Sequence, residues 1–87
     1  RSNYANYFRF YGIVVRMYFL PSEHNPPHIH VIYGENAASI EIGTGAIIDG
    51  YLPSKALSMT REWMELHRQE LSEIWDTQEF KSIPPLE

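Results

Sequence analysis

Two histidines, His28 and His30, stand one residue apart in a stretch rich in β-branched residues. On a β-strand, residues two apart project from the same face, so both imidazoles are able to meet one ligand. Neutral imidazole binds divalent transition metals such as Zn, Fe, Ni or Cu, and histidine exchanges protons near neutral pH. The same spacing also fits a pair of surface or interface histidines, and both interpretations stay open from sequence.

A predicted hairpin places polar partners opposite these histidines. Gly34-Glu35 suits a two-residue turn with glycine at its first central position. Counting back from this turn sets His30 opposite Ser39 and His28 opposite Glu41, with β-carbons about 4.5–5.5 Å apart. The sequence therefore predicts a His28–Glu41 contact.

Two kinds of chemistry follow from this register. With Glu41, His28 and His30 make a candidate metal set of two histidines and one carboxylate, the group expected for a metal-dependent hydrolase. Without a metal, Glu41 orients His28 as a general base, Arg16 holds an anion, and Tyr18 or Ser39 donates a proton. The sequence supplies no obvious oxyanion hole for such an enzyme. No cofactor is expected, apart from this candidate divalent transition metal.

The elements that hold these residues are mostly strands. Alternation from Phe10 to Leu20 predicts one strand whose odd positions, including Tyr11 and Phe19, face inward. Three further strands are predicted over His28–Tyr33, Asn36–Ile42 and Ala46–Gly50, the last with Ala46 and Ile48 inward. The resulting outer face carries Arg16, Tyr18, His28, His30, Ser39 and Glu41, with Asp49 as a further member, and the apolar residues Val14, Ile32, Ala37 and Ile47.

The last third of the chain predicts a helix. Apolar residues recur at three- and four-residue spacing from Leu57 to Ile74, so one face of the helix is expected to cover the sheet. Pro53 suits the first turn, and Ser54 is a suitable cap. One helix of about 25 residues from near Ser54 to Phe80 is favoured, and two helices broken near Arg68 are the alternative.

Together these elements predict a two-layer α+β domain. It has a three- to four-stranded antiparallel meander with one long C-terminal helix, or two helices, packed on one face. The single domain is expected over residues 10–80, after a flexible N-terminal arm over residues 1–9 and before a C-terminal tail over residues 81–87.

Composition limits the classes of function. The chain has 87 residues, no cysteine and a formal net charge of −4, which excludes disulfides and thiolate chemistry. The negative charge argues against nucleic acid as a direct ligand, since phosphate contacts need clustered Lys and Arg. No apolar run approaches the roughly 20 residues that span a bilayer, so no membrane contact is expected. A small domain that needs no disulfide fits a cytoplasmic protein, which is the expected localisation.

Several segments together resemble a known family. They are Phe10-Tyr11-Gly12-Ile13-Val14-Val15-Arg16-Met17-Tyr18, Asn25-Pro26-Pro27-His28-Ile29-His30-Val31, Tyr33-Gly34-Glu35, Gly50-Tyr51-Leu52-Pro53 and Glu62-Trp63-Met64-Glu65-Leu66-His67-Arg68. The chain is similar, over about residues 10 to 79, to the small bacterial proteins of the domain-of-unknown-function family forty-one-sixty. The family has no established activity. Its members are often encoded beside another small protein, in an arrangement like that of toxin–antitoxin pairs, which implies a protein partner.

The half-apolar outer face, with its tyrosine, arginine and two histidines, has the composition of an interface. The sequence therefore favours a small protein-binding module, and the resemblance makes one component of a toxin–antitoxin-like two-gene pair a candidate role. Its expected partner is a second copy or a neighbouring gene product. The alternative is the histidine-centred hydrolase.

Overall fold

The computed structural model of the chain describes residues 7–18, 26–79 and 83–86. Within them are five strands and one helix: β1 (Tyr7–Phe10), β2 (Ile13–Arg16), β3 (His28–Tyr33), β4 (Asn36–Glu41), β5 (Ile47–Gly50) and α1 (Ser54–Thr77). The strands form one antiparallel sheet in the order of the sequence. The α+β class, the meander and the single C-terminal helix are confirmed, but the sheet has five strands where three or four were predicted.

The additional strand comes from a turn inside the predicted first strand. Tyr11 and Gly12 have φ angles of 49° and 78°, as a tight two-residue hairpin loop requires. This turn reverses the alternation, because Phe8 and Phe10 are buried before it and Ile13 follows it. The continuous strand from Phe10 is therefore wrong, and Tyr11, predicted to face inward, is 57% exposed.

The predicted boundaries at both ends of this region also change. Tyr7–Phe10 pairs with β2, so the last residues of the predicted flexible arm belong to the sheet. Residues 1–6 and 19–25, including Phe19 and Leu20, lie outside the described residues. The inward positions of β2 are confirmed, since Ile13 and Val15 are fully buried.

The central hairpin has the predicted register. Tyr33 pairs with Asn36 around Gly34, whose φ is 60°, and His28 pairs with Glu41 at the far end. Because the turn fixes which residues oppose each other, it also fixes which side chains share a face. Ile29 and Ile40 are accordingly both fully buried.

In the fourth predicted strand, the residues that face the core differ from those predicted. A β-bulge interrupts the β4–β5 pairing, so that Ile40 pairs with Ile47 while Ser39 pairs with Asp49. The residue between them, Ile48, is consequently left out of the ladder and is 49% exposed. Ala46 and Ile48 were predicted inward, but Ala46 is exposed, and Ile47, predicted on the outer face, packs on the core instead.

The helix α1 covers the inner face of the sheet. Its buried residues lie along one helical face and are Ala56, Thr60, Trp63, Met64, Leu71 and Ile74. Trp63 is the largest of them and meets the rings of Phe8 and Phe10, each at a centroid distance of 5.2 Å. Its Nε1 donates to the Pro84 carbonyl at 2.8 Å, so the C-terminal tail packs on the helix. None of the described residues form a helix long and apolar enough to cross a membrane.

The helix ends differ from the prediction in detail. Pro53 occupies the N-cap, and no side chain caps the first turn, so the capping role predicted for Ser54 is wrong. The helix extends to Thr77, where Gln78 in the left-handed conformation donates its N–H to the Ile74 carbonyl at 2.8 Å. It is kinked at His67, whose φ of −124° and ψ of 23° are not helical, so α1 consists of two helical segments that meet next to Arg68, where the alternative placed a break.

Two arginines of α1 attach the β4–β5 turn to the helix. Arg61 Nε donates to the Gly45 carbonyl at 2.8 Å, and Arg68 Nε donates to the Ile42 carbonyl at 3.0 Å. Both carbonyls lie in the irregular backbone between β4 and β5. The two guanidinium groups therefore hold the turn that sets the start of β5.

We expect Arg68→Met to lower the free energy of unfolding by about 1 kcal/mol, the usual loss for one side chain–backbone hydrogen bond. Urea denaturation followed by circular dichroism measures this change. Glu65→Gln is the control, because it removes only the exposed ion pair between Glu65 and Arg68, 2.8 Å long. It should cost about 0.5 kcal/mol or less. Equal losses in the two variants would contradict a role for the Ile42 contact.

Candidate functional site

The candidate site lies on the outer face of the sheet, which we define as the face opposite α1. One transverse row crosses four strands here, because Arg16 pairs with His30, His30 with Ser39, and Ser39 with Asp49. Arg16 and Asp49 at its two ends are exposed, whereas His30 and Ser39 are half-buried. The row thus has a positive charge at β2 and a negative charge at β5, three strand spacings or about 14 Å apart.

His30 is the centre of this row. Its Nδ1 lies 3.4 Å from Ser39 Oγ, a long hydrogen bond whose direction depends on the tautomer. The Tyr18 ring meets the His30 ring edge-on at 4.7 Å, and the His28 ring does so at 5.0 Å. Tyr18, His28 and His30 thus form one aromatic cluster, as their shared face predicts.

His28 also reaches the helix. Its Nδ1 donates to the Pro26 carbonyl at 2.8 Å, which orients the ring at the entry to β3. Its ring centroid lies 5.0 Å from that of Trp75 near the end of α1. Contact between a strand residue and a distant helix residue has no local sequence signal, so this role of Trp75 was missed.

The predicted pairing of His28 with Glu41 holds for the backbone, while the side chains bond elsewhere. Glu41 Oε1 accepts a hydrogen bond from Thr44 Oγ1 at 3.0 Å, within its own turn. Across residues 7–18, 26–79 and 83–86, no three histidine or acidic side chains are close enough together to hold a metal ion. The structure therefore does not assemble His28, His30 and Glu41 into the metal set that their spacing suggested.

An open depression of about 350 Å³ lies beside His30. It extends from Tyr18, two residues past the end of β2, across β3 and β4 to β5, and its polar groups come from Tyr18, His30, Ser39 and Asp49. The other lining residues are Val31, Ile32, Ala37, Ala38 and Gly50. Four of the six predicted site residues line it or touch its lining, whereas Arg16 and Glu41 lie at the margins of the same face.

Gly50 is a lining residue that sequence analysis did not single out. Its φ is 89°, and a β-carbon there would overlap the Ala37 carbonyl oxygen and lie 2.8 Å from the Ala38 Cα. Next to it, the N–H of Tyr51 donates to the same Ala37 carbonyl at 2.9 Å. The floor of the depression at β5 therefore depends on a position without a side chain.

Ser39, His30 and Asp49 have the residue types of a Ser–His–Asp catalytic triad. Serine and histidine are within reach, but Asp49 lies beyond Ser39 in the row and not beyond His30. A carboxylate must orient the histidine nitrogen that faces away from the nucleophile, so the order of groups differs from a catalytic triad. The face presents aromatic, apolar and charged groups side by side, which suits binding.

The outer face also carries half-exposed apolar residues. Val14, Ile32 and Ala37 form a second row beside the first, since Val14 pairs with Ile32 and Ile32 with Ala37. No described element covers either row. Tyrosine, arginine and half-buried aliphatic residues in one patch are characteristic of protein interfaces.

Comparison with known proteins supports the resemblance found in the sequence. The family model described as a domain of unknown function, DUF4160, matches residues 12–76, which include the outer face and nearly all of α1. No curated protein and no solved structure shows a significant match to the chain. With about three quarters of its length matched by this model, the chain belongs to the DUF4160 family.

Proposed function

We propose that the chain is a small protein-binding module whose binding surface is the outer face of the sheet. The observation that carries this proposal is the contrast between the two faces. The inner face is closed by α1, with Ile29, Val31 and Ile40 fully buried. The outer face keeps Ile32 and Val14 only half-buried beside charged and aromatic groups, so a partner gains by covering them.

The resemblance stated above supports one class of partner. Genes of this family often stand beside a gene for another small protein, so the neighbouring product is the natural heterologous candidate. A toxin–antitoxin-like pair would need such a complex.

The test compares two variants, one with a glutamate introduced on the outer face and one with a glutamate introduced on α1. We expect Ile32→Glu to weaken binding at least tenfold, because it adds a carboxylate to the centre of the proposed contact. Binding is measured by calorimetry with the neighbouring gene product, and self-association by sedimentation equilibrium.

Leu66→Glu is the matched control for this experiment. Leu66 is 65% exposed on α1, away from the outer face, and the substitution adds the same charge. It should change either affinity less than twofold, since exposed positions outside an interface are near-neutral. Equal effects of the two substitutions, or binding that neither changes, would contradict the proposed surface.

A further inference from the structure

The charges of the outer face are arranged so that the face is complementary to itself. Two copies can be stacked with the outer faces of their sheets together. A two-fold axis that runs parallel to the strands, between β3 and β4, then places β2 of one copy over β5 of the other, and β3 over β4. Residues in one transverse row remain in that row under this operation. Arg16 of one copy then lies over Asp49 of the other, at both ends of the row.

The remaining positions match under the same operation. His30 of one copy lies over Ser39 of the other, and Ile32 lies over Ala37. At the third row, His28 of one copy lies over Glu41 of the other. Each pairing joins a base to an acid, a donor to an acceptor or one apolar group to another.

The acidic end of the row is available for such a pair. Asp49 is exposed at the rim of the depression, and no described residue donates a hydrogen bond to its carboxylate. The β-bulge places Asp49 opposite Ser39, which brings this carboxylate onto the outer face. An arginine side chain from a facing sheet, about 10 Å away, is long enough to enter the depression and reach Asp49.

We propose that the outer face is a homodimer interface, in which Arg16 of each copy enters the depression of the other and pairs with Asp49. The interface is isologous and closes after two copies. This inference rests on the proposed function, because it names a second copy of the chain as the partner of the same face.

The size of the sheet sets the expected affinity. The four strands that overlap under this operation, β2 to β5, are about 4.8 Å apart and about 13–20 Å long, so they cover roughly 300 Å² on each copy before side-chain relief is counted. The total for two copies is below the about 1,000 Å² of stable interfaces, so the contact is a weak, reversible one, with a dissociation constant expected in the micromolar range. Sedimentation equilibrium over the corresponding concentrations measures it.

The test uses charge reversal at the two ends of the row. Arg16→Asp and Asp49→Arg each create two like-charge contacts in a homodimer, and each is expected to raise the dissociation constant about 100-fold. An equimolar mixture of the two variants should form a heterodimer of near wild-type affinity. In that heterodimer, the two introduced side chains face each other with opposite charges at one end, and the native Arg16 and Asp49 pair at the other.

The outcomes separate this inference from the proposed function. Loss of dimer in each single variant, with recovery in the mixture and in the double reversal, supports the two-fold contact. A wild-type dimer that both single reversals leave intact overturns it. A wild-type chain that is monomeric at about 1 mM, far above the expected dissociation constant, also overturns it. In either case, a neighbouring protein whose binding is lost in Ile32→Glu would leave the proposed function in place.

Discussion

Replacing Gly50 with alanine is expected to lower the free energy of unfolding by about 3 kcal/mol or more. The φ of 89° costs an alanine about 1–2 kcal/mol, and its β-carbon would overlap the Ala37 carbonyl in the neighbouring strand. Because both obstacles are backbone, no side-chain rotation relieves them. Urea denaturation followed by circular dichroism measures the loss.

Gly34→Ala is the matched control. Gly34 also has a positive φ, of 60°, but nothing lies within 4 Å of the place that a β-carbon would take. The substitution should therefore cost only the conformational term of about 1–2 kcal/mol. A Gly50→Ala protein no less stable than Gly34→Ala would show that β4 and β5 do not approach as closely as described.

The second large effect is expected at Trp63. Trp63→Ala should lower the free energy of unfolding by about 3–5 kcal/mol, the range for removing a fully buried aromatic side chain. Trp63 packs against β1 through Phe8 and Phe10, and it binds the C-terminal segment through Pro84. Its loss should therefore loosen both segments: hydrogen exchange should show the amides of β1 losing protection, and NMR should show the methyl signals of Ile83 and Leu86 moving toward unfolded values.

Trp63→Phe divides this effect into its two causes. Phenylalanine retains most of the apolar contact but cannot donate to the Pro84 carbonyl, so a cost of about 1–2 kcal/mol is expected. The loss of order should then be greater at Ile83 and Leu86, measured by their methyl signals, than at β1, measured by amide protection. Equal loss at both segments in Trp63→Phe would contradict the assignment of the hydrogen bond to the tail.

Local rules predicted the central hairpin and which of its side chains share the outer face. The glycine turn and the alternation around His28–Tyr33 define one register, and that register places His30 beside Ser39. The helix was equally predictable from sequence, because its buried residues repeat at helical spacing from Ala56 to Ile74. In these segments, local preference and tertiary packing favour the same structure.

The errors occurred where one residue changes the alternation. When a turn or bulge interrupts a strand, the residues after it exchange their inward and outward positions. The apolar pattern of the sequence nevertheless still looks continuous across the interruption. Tyr11-Gly12 divided a predicted strand in this way, and Ile48 did so in β5. Gly12 inside an apolar run was the available signal for the first, whereas the bulge depends on pairing with β4.

The directions of individual side chains were the other feature that the sequence did not predict. Register brings the Cα atoms of His28 and Glu41 opposite each other, but Thr44 engages the carboxylate and Pro26 engages the imidazole. Loop geometry decides which of several nearby partners a side chain binds, and the spacing of residues in the sequence does not encode that geometry. The Trp75 contact with His28 likewise required the full path of the helix.

The bulge in β5 also limits how copies of the chain can assemble. With only four residues and one of them outside the ladder, the outer edge of β5 presents few consecutive hydrogen-bonding groups to another chain. Short, irregular edges discourage the strand-by-strand growth that leads to fibres. The two-fold contact that we propose on the broad face would, by contrast, use up its own surface, so that growth through it stops at a pair.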